Sequence, residues 1–344
     1  MNPAYRRFLE LPEEDRVEVF ETTATRLDTP PQYVEKDFWV CLVLDVLFNG
    51  LPTGHPKLLF KGGTSLSKVH GLIDRFSEDI DVTVFRTDLK FSNETDPASA
   101  GLSTSKRNKL LKRLKREAAE YVHGELRVDL SAAIASTVPD FELRVESDDI
   151  NKPTLLFDYP ILITPDRSAY VQPRVKIESG ARSALDPNSS GTVQPFVVED
   201  LDDDWDLSVP NITTIAVERT FWDKVMILHG LRYDSDERGL LPKRGNPTSR
   251  HYYDLAMLAS TEAGTRALTD RKLMEDVKRH AEIMFGDKRL DGAQPGGFRL
   301  VPTGALRTRL DEDYTFTRGM MLGDRPAFDD VMAKIAALEA RLNS

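Results

Sequence analysis

The sequence predicts an α+β protein, a mixed-sheet domain followed by a mainly helical C-terminal domain. Three observations predict it. Short β-rich runs alternate with helical periods between Leu58 and Glu178. After an acidic run from Glu199 to Asp206 the apolar spacing becomes helical throughout. The chain has 344 residues, more than one hydrophobic core usually serves. The expected organisation is residues 1–50 as N-terminal helices packed on the core, 51–198 as the sheet domain with an insertion near 86–105, and 199–344 as the helical domain.

Taken in order, apolar residues recur at helical spacing from Glu13 to Leu27 and from Val34 to Phe48, and Thr29-Pro30-Pro31 breaks the chain between them. Leu58-Leu59-Phe60 is a short apolar strand closed by Gly62-Gly63. Ser65 to Ile73 then reads as a helix with Leu66, Val69, Leu72 and Ile73 on one face. Asp79 to Phe85 alternates polar and apolar residues, the mark of a half-buried strand, which puts Asp79 and Asp81 on one face. Arg86 to Thr104 reads as a loop before a basic helix, Lys106 to Tyr121. Further strands are expected at Leu126–Leu130, Glu142–Val145, Thr154–Phe157 and Arg174–Glu178. Helices are expected at Ile215–Leu231, Tyr252–Leu258, Leu273–Met284 and Ala327–Leu342, with breaks near Gly245 to Pro247 and Gln294 to Gly297.

Composition narrows the function classes. Hydrophobic residues make up 40% and charged residues 30%, ordinary for a globular chain. The longest apolar run, Phe38 to Leu44, is cut by Asp45 and is too short to span a bilayer. The N-terminus lacks the apolar core of a signal peptide, so the expected location is the cytoplasm, without a membrane partner. The single cysteine, Cys41, lies inside that run and reads as a buried thiol. His55, His70, His123, His229, His251 and His280 lack zinc-type spacing; His251 is notable for its nearness to Asp254. The net charge of −10 argues against nucleic acid, but its distribution does not. Lys106, Arg107, Lys109, Lys112, Arg113, Lys115 and Arg116 concentrate positive charge, which either tracks an RNA backbone or forms a solvated helix face. The acidic run reads as a solvated linker, since it lacks the glycine and terminal glutamate of a calcium loop.

The spacing of one segment carries chemistry. Asp79 and Asp81 project from one strand face with backbones about 6–7 Å apart, so their carboxylates can converge on metal ions. Magnesium prefers such sparse carboxylate sets completed by water and phosphates. Upstream, the Gly62-Gly63 turn allows backbone N–H groups to approach an anion, and the hydroxyls of Thr64 and Ser65 can donate to phosphate oxygens. No lysine ends the glycine loop, so it is not a Walker motif. Lys68 reaches phosphate or serves solubility; Arg75 contacts phosphate or holds the turn; Ser77 is a further phosphate contact. Lys61 reads as structural or exposed. Strand, glycine turn, helix and an Asp-x-Asp strand together point to nucleotide and metal binding.

The stretch from Phe60-Lys-Gly-Gly-Thr-Ser through Ser77-Glu-Asp-Ile-Asp-Val82 resembles the first motif of the AbiEii/AbiGii nucleotidyltransferase toxins. These are distant members of the DNA polymerase β-like superfamily and are related to the MenT-type toxins. Similar stretches follow the family order: Val34-Glu-Lys-Asp-Phe-Trp39 upstream, then Val217 to Lys224, Arg250 to Leu255, and Met321 to Asp330. The resemblance implies a polymerase β-like domain and a catalytic set of Gly63, Ser65, Asp79, Asp81, Lys224 and Asp254. Lys224 would offer charge to triphosphate oxygens; Asp254 would orient that lysine, bind the base or sugar, or position the acceptor hydroxyl. Superfamily members carry a third carboxylate on a neighbouring strand. Glu178 is the candidate, the alternative being a surface glutamate paired with Lys176 or Arg174. The implied reaction moves a nucleotide from an NTP to an RNA acceptor, with the tRNA 3′ end as candidate, using Mg2+ or alternatively Mn2+. An AbiEi-type antitoxin is the implied partner. Nucleotidylation of a protein hydroxyl and a non-catalytic nucleotide-binding interaction module are the other readings.

Overall fold

The computed structural model of the chain describes residues 1–92, 94–146, 153–164, 172–245 and 247–344. Asn93 of the expected insertion and Asn246 of the expected break lie outside them. The contacts divide the chain into two compact units, Met1–Val69 with Phe76–Ile215, and His70–Arg75 with Ala216–Ser344.

The first unit opens with α1 (Pro3–Leu9), α2 (Glu13–Arg26) and α3 (Pro31–Asp45). β1 (Leu58–Lys61), α4 (Gly62–Lys68) and β2 (Asp79–Val84) follow, then α5 (Thr104–Tyr121), α6 (Arg127–Ala135), β3 (Glu142–Val145), β4 (Thr154–Asp158), β5 (Val175–Glu178), β6 (Asn188–Val193) and β7 (Val209–Ile215). The seven strands form one mixed sheet in the order β3-β4-β5-β2-β1-β7-β6. β1 pairs antiparallel with β2 and parallel with β7, and β2 pairs parallel with β5. Central strands are therefore β1 and β2, the pair that bounds the glycine turn. In β2, Ile80, Val82 and Val84 are buried on the core side, while Asp79 and Asp81 are half-buried on the other. That is the alternation expected of a strand with one packed face.

α3 packs against the sheet and is buried from Tyr33 to Asp45, charged residues included. The rings of Phe8, Phe20 and Phe38 pack with centroids 4.7 to 6.1 Å apart and join the three N-terminal helices. Several sequence expectations are corrected here. Leu126–Leu130 is not a strand but the join between a π turn (Val122–Leu126) and α6. Leu126, Leu130 and Ile134, four residues apart, are fully buried and Val128 is 56% exposed, so the helical period wins over β propensity. α4 starts at Gly62 and stops at Lys68 rather than running from Ser65 to Ile73. β6 and β7 went unread: β6 is Asn-Ser-Ser-Gly-Thr-Val without apolar alternation, and Pro210 with Asn211 at φ 62° interrupts the pattern of β7. Asp202, Asp203, Asp204 and Asp206 of the acidic run are exposed as expected of a solvated segment, but the run is anchored. Arg26 pairs with Glu199 at 2.7 Å and Asp200 at 2.8 Å, and the Arg7 guanidinium lies 3.9 Å over the Trp205 ring.

The second unit is helical: α7 (Val217–Arg238), α8 (Ser249–Leu258), α9 (Glu262–Thr269), α10 (Arg271–His280), α11 (Gly304–Gly319) and α12 (Phe328–Leu342). α7 ends where Gly239 takes a left-handed conformation, φ 63°. α9 has eight residues and α11 is rich in charged and Thr residues; neither is among the expected helices. The segment His70–Arg75 joins this unit, with Arg75 in a β-bridge to Met321 and the Leu322 N–H donating to the Asp74 carbonyl at 2.9 Å. Among the described residues no helix is long and apolar enough to cross a membrane.

Candidate active site

The first unit places four carboxylates around the start of β2. The register sets Asp81 opposite Glu178 of β5 on one side and Lys61 of β1 on the other, with Asp79 opposite Lys176. Partners across adjacent strands share a face, so Asp79, Asp81 and Glu178 point the same way. Burial, reinforced by the charges of Glu78, Glu178 and Asp81 and opposed by Lys36, pushes the Asp79 carboxyl up to about 7. Three lysines partly balance this charge: Lys61 Nζ lies 3.5 Å from Asp81, Lys176 Nζ 2.8 Å from Glu178, and Lys36 Nζ 2.6 Å from Glu78. Glu178 thus stands beside Asp81 in register and pairs with Lys176. Carboxylate oxygens are donors of the type a hard divalent cation takes, and such a charge would offset the repulsion that adds to burial in raising Asp79.

The turn between β1 and α4 is fitted to those carboxylates. Gly62 has φ 83°, and a Cβ there would fall 2.3 Å from Asp81 Oδ2, so only glycine lets the backbone lie against this side chain. Thr64 Oγ1 donates to the Asp79 carbonyl and lies 2.8 Å from Ser77 Oγ, which locks α4 to the entry of β2. Ser65 Oγ donates to the Gly62 carbonyl at 3.0 Å and closes the turn on itself. Gly63 falls in the first turn of α4, which has no side-chain cap on its N–H groups.

Three charged residues on buried α3 hold this arrangement from behind. Glu35, Lys36 and Asp37 are each 1–2% exposed. Glu35 accepts the backbone N–H groups of Leu162 and Ile163 at 2.7 and 3.1 Å. Lys36 Nζ pairs with Glu78, the neighbour of Asp79, at 2.6 Å. Asp37 pairs with Lys68 at 2.5 Å and accepts the Phe196 N–H at 2.7 Å. Lys68 also lies 3.4 Å over the Phe196 ring and donates to the Gln194 carbonyl at 3.1 Å. Its charge is therefore used in tying α4 to α3. Sequence reasoning gave Glu35, Lys36, Asp37 and Glu78 no role. The available signal was three consecutive charges inside an otherwise apolar helix, which must be paired when buried.

The second unit holds its own charged cluster. Asp254 of α8 is fully buried; Arg75 donates to both its oxygens, at 2.7 and 2.9 Å, and Lys224 of α7 pairs with it at 2.7 Å. Burial alone would raise the Asp254 carboxyl, but the two cations and their hydrogen bonds hold it well below the usual carboxylate range. Burial and the charges of Arg75 and Arg250 lower the Lys224 ammonium, against the pull of Asp254. Of the two readings of Arg75, holding the turn is the one its geometry matches. Its salt bridge anchors the segment that ends at the turn before Ser77. Burial and the charges of Lys224 and Arg250 depress the His251 imidazole, and its Nδ1 has no hydrogen-bond partner among the described residues.

Comparison with known proteins agrees with the sheet and the motif. The family model described as "Nucleotidyl transferase AbiEii toxin, Type IV TA system" matches residues 45–334. Among solved structures the chain is similar to MenT4, a nucleotidyltransferase toxin from Mycobacterium tuberculosis H37Rv, with a TM-score of 0.51 and 19% identity, over 97% of this chain and 90% of that one. At that identity the likeness speaks for the fold. No curated protein matches the chain. The family match runs from the end of α3 into α12 and so takes in β2, its glycine turn and the Lys224–Asp254 pair; the chain belongs to the AbiEii family of nucleotidyltransferase toxins, enzymes that use an NTP.

Proposed function

We propose that this enzyme transfers a nucleotide from an NTP to an RNA acceptor, with the 3′ end of tRNA as the first acceptor to test. The observation that carries the proposal is the placement of Asp79 and Asp81 beside Glu178, against a glycine that admits no side chain. Asp79, Asp81 and Glu178 would hold Mg2+, or Mn2+ in its stead, which supplies charge neutralisation at the triphosphate and lowers the barrier to attack by the acceptor hydroxyl. The N–H groups of Gly63 and its neighbours, with the hydroxyls of Thr64, Ser65 and Ser77, are the proposed phosphate contacts. Lys224 is the proposed cation for triphosphate oxygens, held in position by Asp254, which Arg75 anchors in turn. Support for RNA comes from α5, where Lys106, Lys109, Lys112, Lys115 and Arg116 are exposed while Leu114 and Ala118 face the core. A cytoplasmic setting and restraint by an AbiEi-type antitoxin complete the reading.

The test is incubation of the enzyme with each labelled NTP and either total RNA or total protein, followed by sequencing of RNA 3′ ends. The expected outcome is Mg2+-dependent label in RNA, absent with Asp81→Ala. Label confined to protein overturns the RNA acceptor, and undiminished transfer by Asp81→Ala overturns the site.

A further inference from the structure

The turn before β1 carries a second cluster with metal-ligand chemistry. His55 is packed against the flank of the continuous helix that runs from α5 through the π turn into α6. Tyr121, Glu125 and Asp129 succeed one another there at four-residue spacing. His55 Nε2 lies 2.9 Å from Asp129 Oδ2, Nδ1 lies 2.9 Å from the Tyr121 hydroxyl, and Glu125 Oε1 is 3.9 Å from Nδ1. One ligand atom from each of His55, Glu125 and Asp129 lies within 4.8 Å of the other two.

We infer that His55, Glu125 and Asp129 bind one divalent transition-metal ion of the Zn2+ class, at a site made of different residues from Asp79, Asp81 and Glu178. The first argument is charge. Among the described residues neither Glu125 nor Asp129 has a lysine or arginine ion-pair partner, so two carboxylates face one imidazole. A divalent cation neutralises them.

The second argument is ligand type. One imidazole and two carboxylates form a set that borderline Zn2+ takes, with water completing the shell, whereas Mg2+ and Ca2+ prefer oxygen alone. The third is the outer partner. A ligating histidine gives its other ring N–H to a fixed acceptor, and the Tyr121 hydroxyl serves as that acceptor for Nδ1 while Nε2 turns its lone pair to the ion. Without the ion the same hydroxyl donates to Nδ1 and Nε2–H donates to Asp129, so the cluster is satisfied in both states. The sequence shows no histidine constellation because His55 lies 74 residues before Asp129 and meets it only by folding. Only Pro56 and Lys57 separate His55 from β1, so the ion ties the approach to the glycine turn onto the α5–α6 helix.

The experiment uses the full chain carrying Asp79→Asn and Asp81→Asn, so that those carboxylates take no metal. It is titrated with ZnCl2 by calorimetry, with the melting temperature followed in parallel. The expected result is one equivalent bound, a rise in Tm, and no displacement by equimolar Mg2+. Adding His55→Gln or Glu125→Gln weakens zinc by about tenfold or more, as loss of a ligand does, and removes the Tm rise. The Glu125 side chain is 61% exposed and makes no hydrogen bond to His55, so Glu125→Gln tests the site even where His55→Gln fails to fold. A parent protein that binds no zinc, or zinc affinity that falls less than this in Glu125→Gln, overturns the assignment and leaves His55 as a hydrogen-bonded staple between loop and helix.

Discussion

Gly62 shows how much of the site depends on a missing side chain. Its φ of 83° and the 2.3 Å from a would-be Cβ to Asp81 Oδ2 mean that Gly62→Ala must move either the turn or the carboxylate. Misplacing a reacting group by about 1 Å costs on the order of 10²-fold in rate. Gly62→Ala should therefore lower kcat for transfer by that order with a melting temperature reduced by only a few degrees, measured by initial rates and thermal unfolding; a rate within a factor of a few of wild type sinks the fit argument. Lys68 gives the opposite kind of test. Removing it leaves Asp37 buried and unpaired, and breaking a buried pair from one side costs about 3–5 kcal/mol. Lys68→Met should lower the denaturant midpoint sharply while the folded fraction keeps its NTP affinity. Weak NTP binding at unchanged stability would return Lys68 to the phosphate.

At the scale of the element, the informative case is the segment from Leu126 to Ile134. A strand would put Leu126, Val128 and Leu130 on one face; the helix buries Leu126, Leu130 and Ile134 and leaves Val128 outside. Leu130→Ala should therefore cost about 2–5 kcal/mol and Val128→Ala within about 0.5 kcal/mol, read from urea unfolding. Equal costs would restore the strand. Elements with a strong single period were legible: α2, β1, β2, β3 and α12 lie within a few residues of their expected places. Those without one were not. β6 is an edge strand with almost no buried side chains, and β7 is broken by Pro210 and Asn211, so neither writes alternation into the chain. The charges of α3 were legible as residues but not as a clasp, since Glu78, Lys68 and the 162–163 backbone that answer them lie far along the sequence.

For the whole molecule, the proposed reaction assigns one step to Asp81 and Lys224 together. Groups that serve one chemical step are non-additive when removed. Asp81→Ala and Lys224→Met should each abolish label transfer to RNA, and the double variant should be no worse than either. Multiplying effects would mean that the two residues act in separate steps. By itself the sequence determined the fold class, the Asp79–Asp81 face and the Gly-Gly-Thr-Ser turn, because strand alternation and turn chemistry are local and act over a few residues. Only the tertiary structure decided that Glu178 stands beside Asp81, that Lys68 is spent on Asp37, that Arg75 clamps Asp254, and that His55 meets Asp129. Each of these is a charge or hydrogen bond satisfied across a long chain separation. A buried charge must find a partner, but nothing in its own neighbourhood says which one.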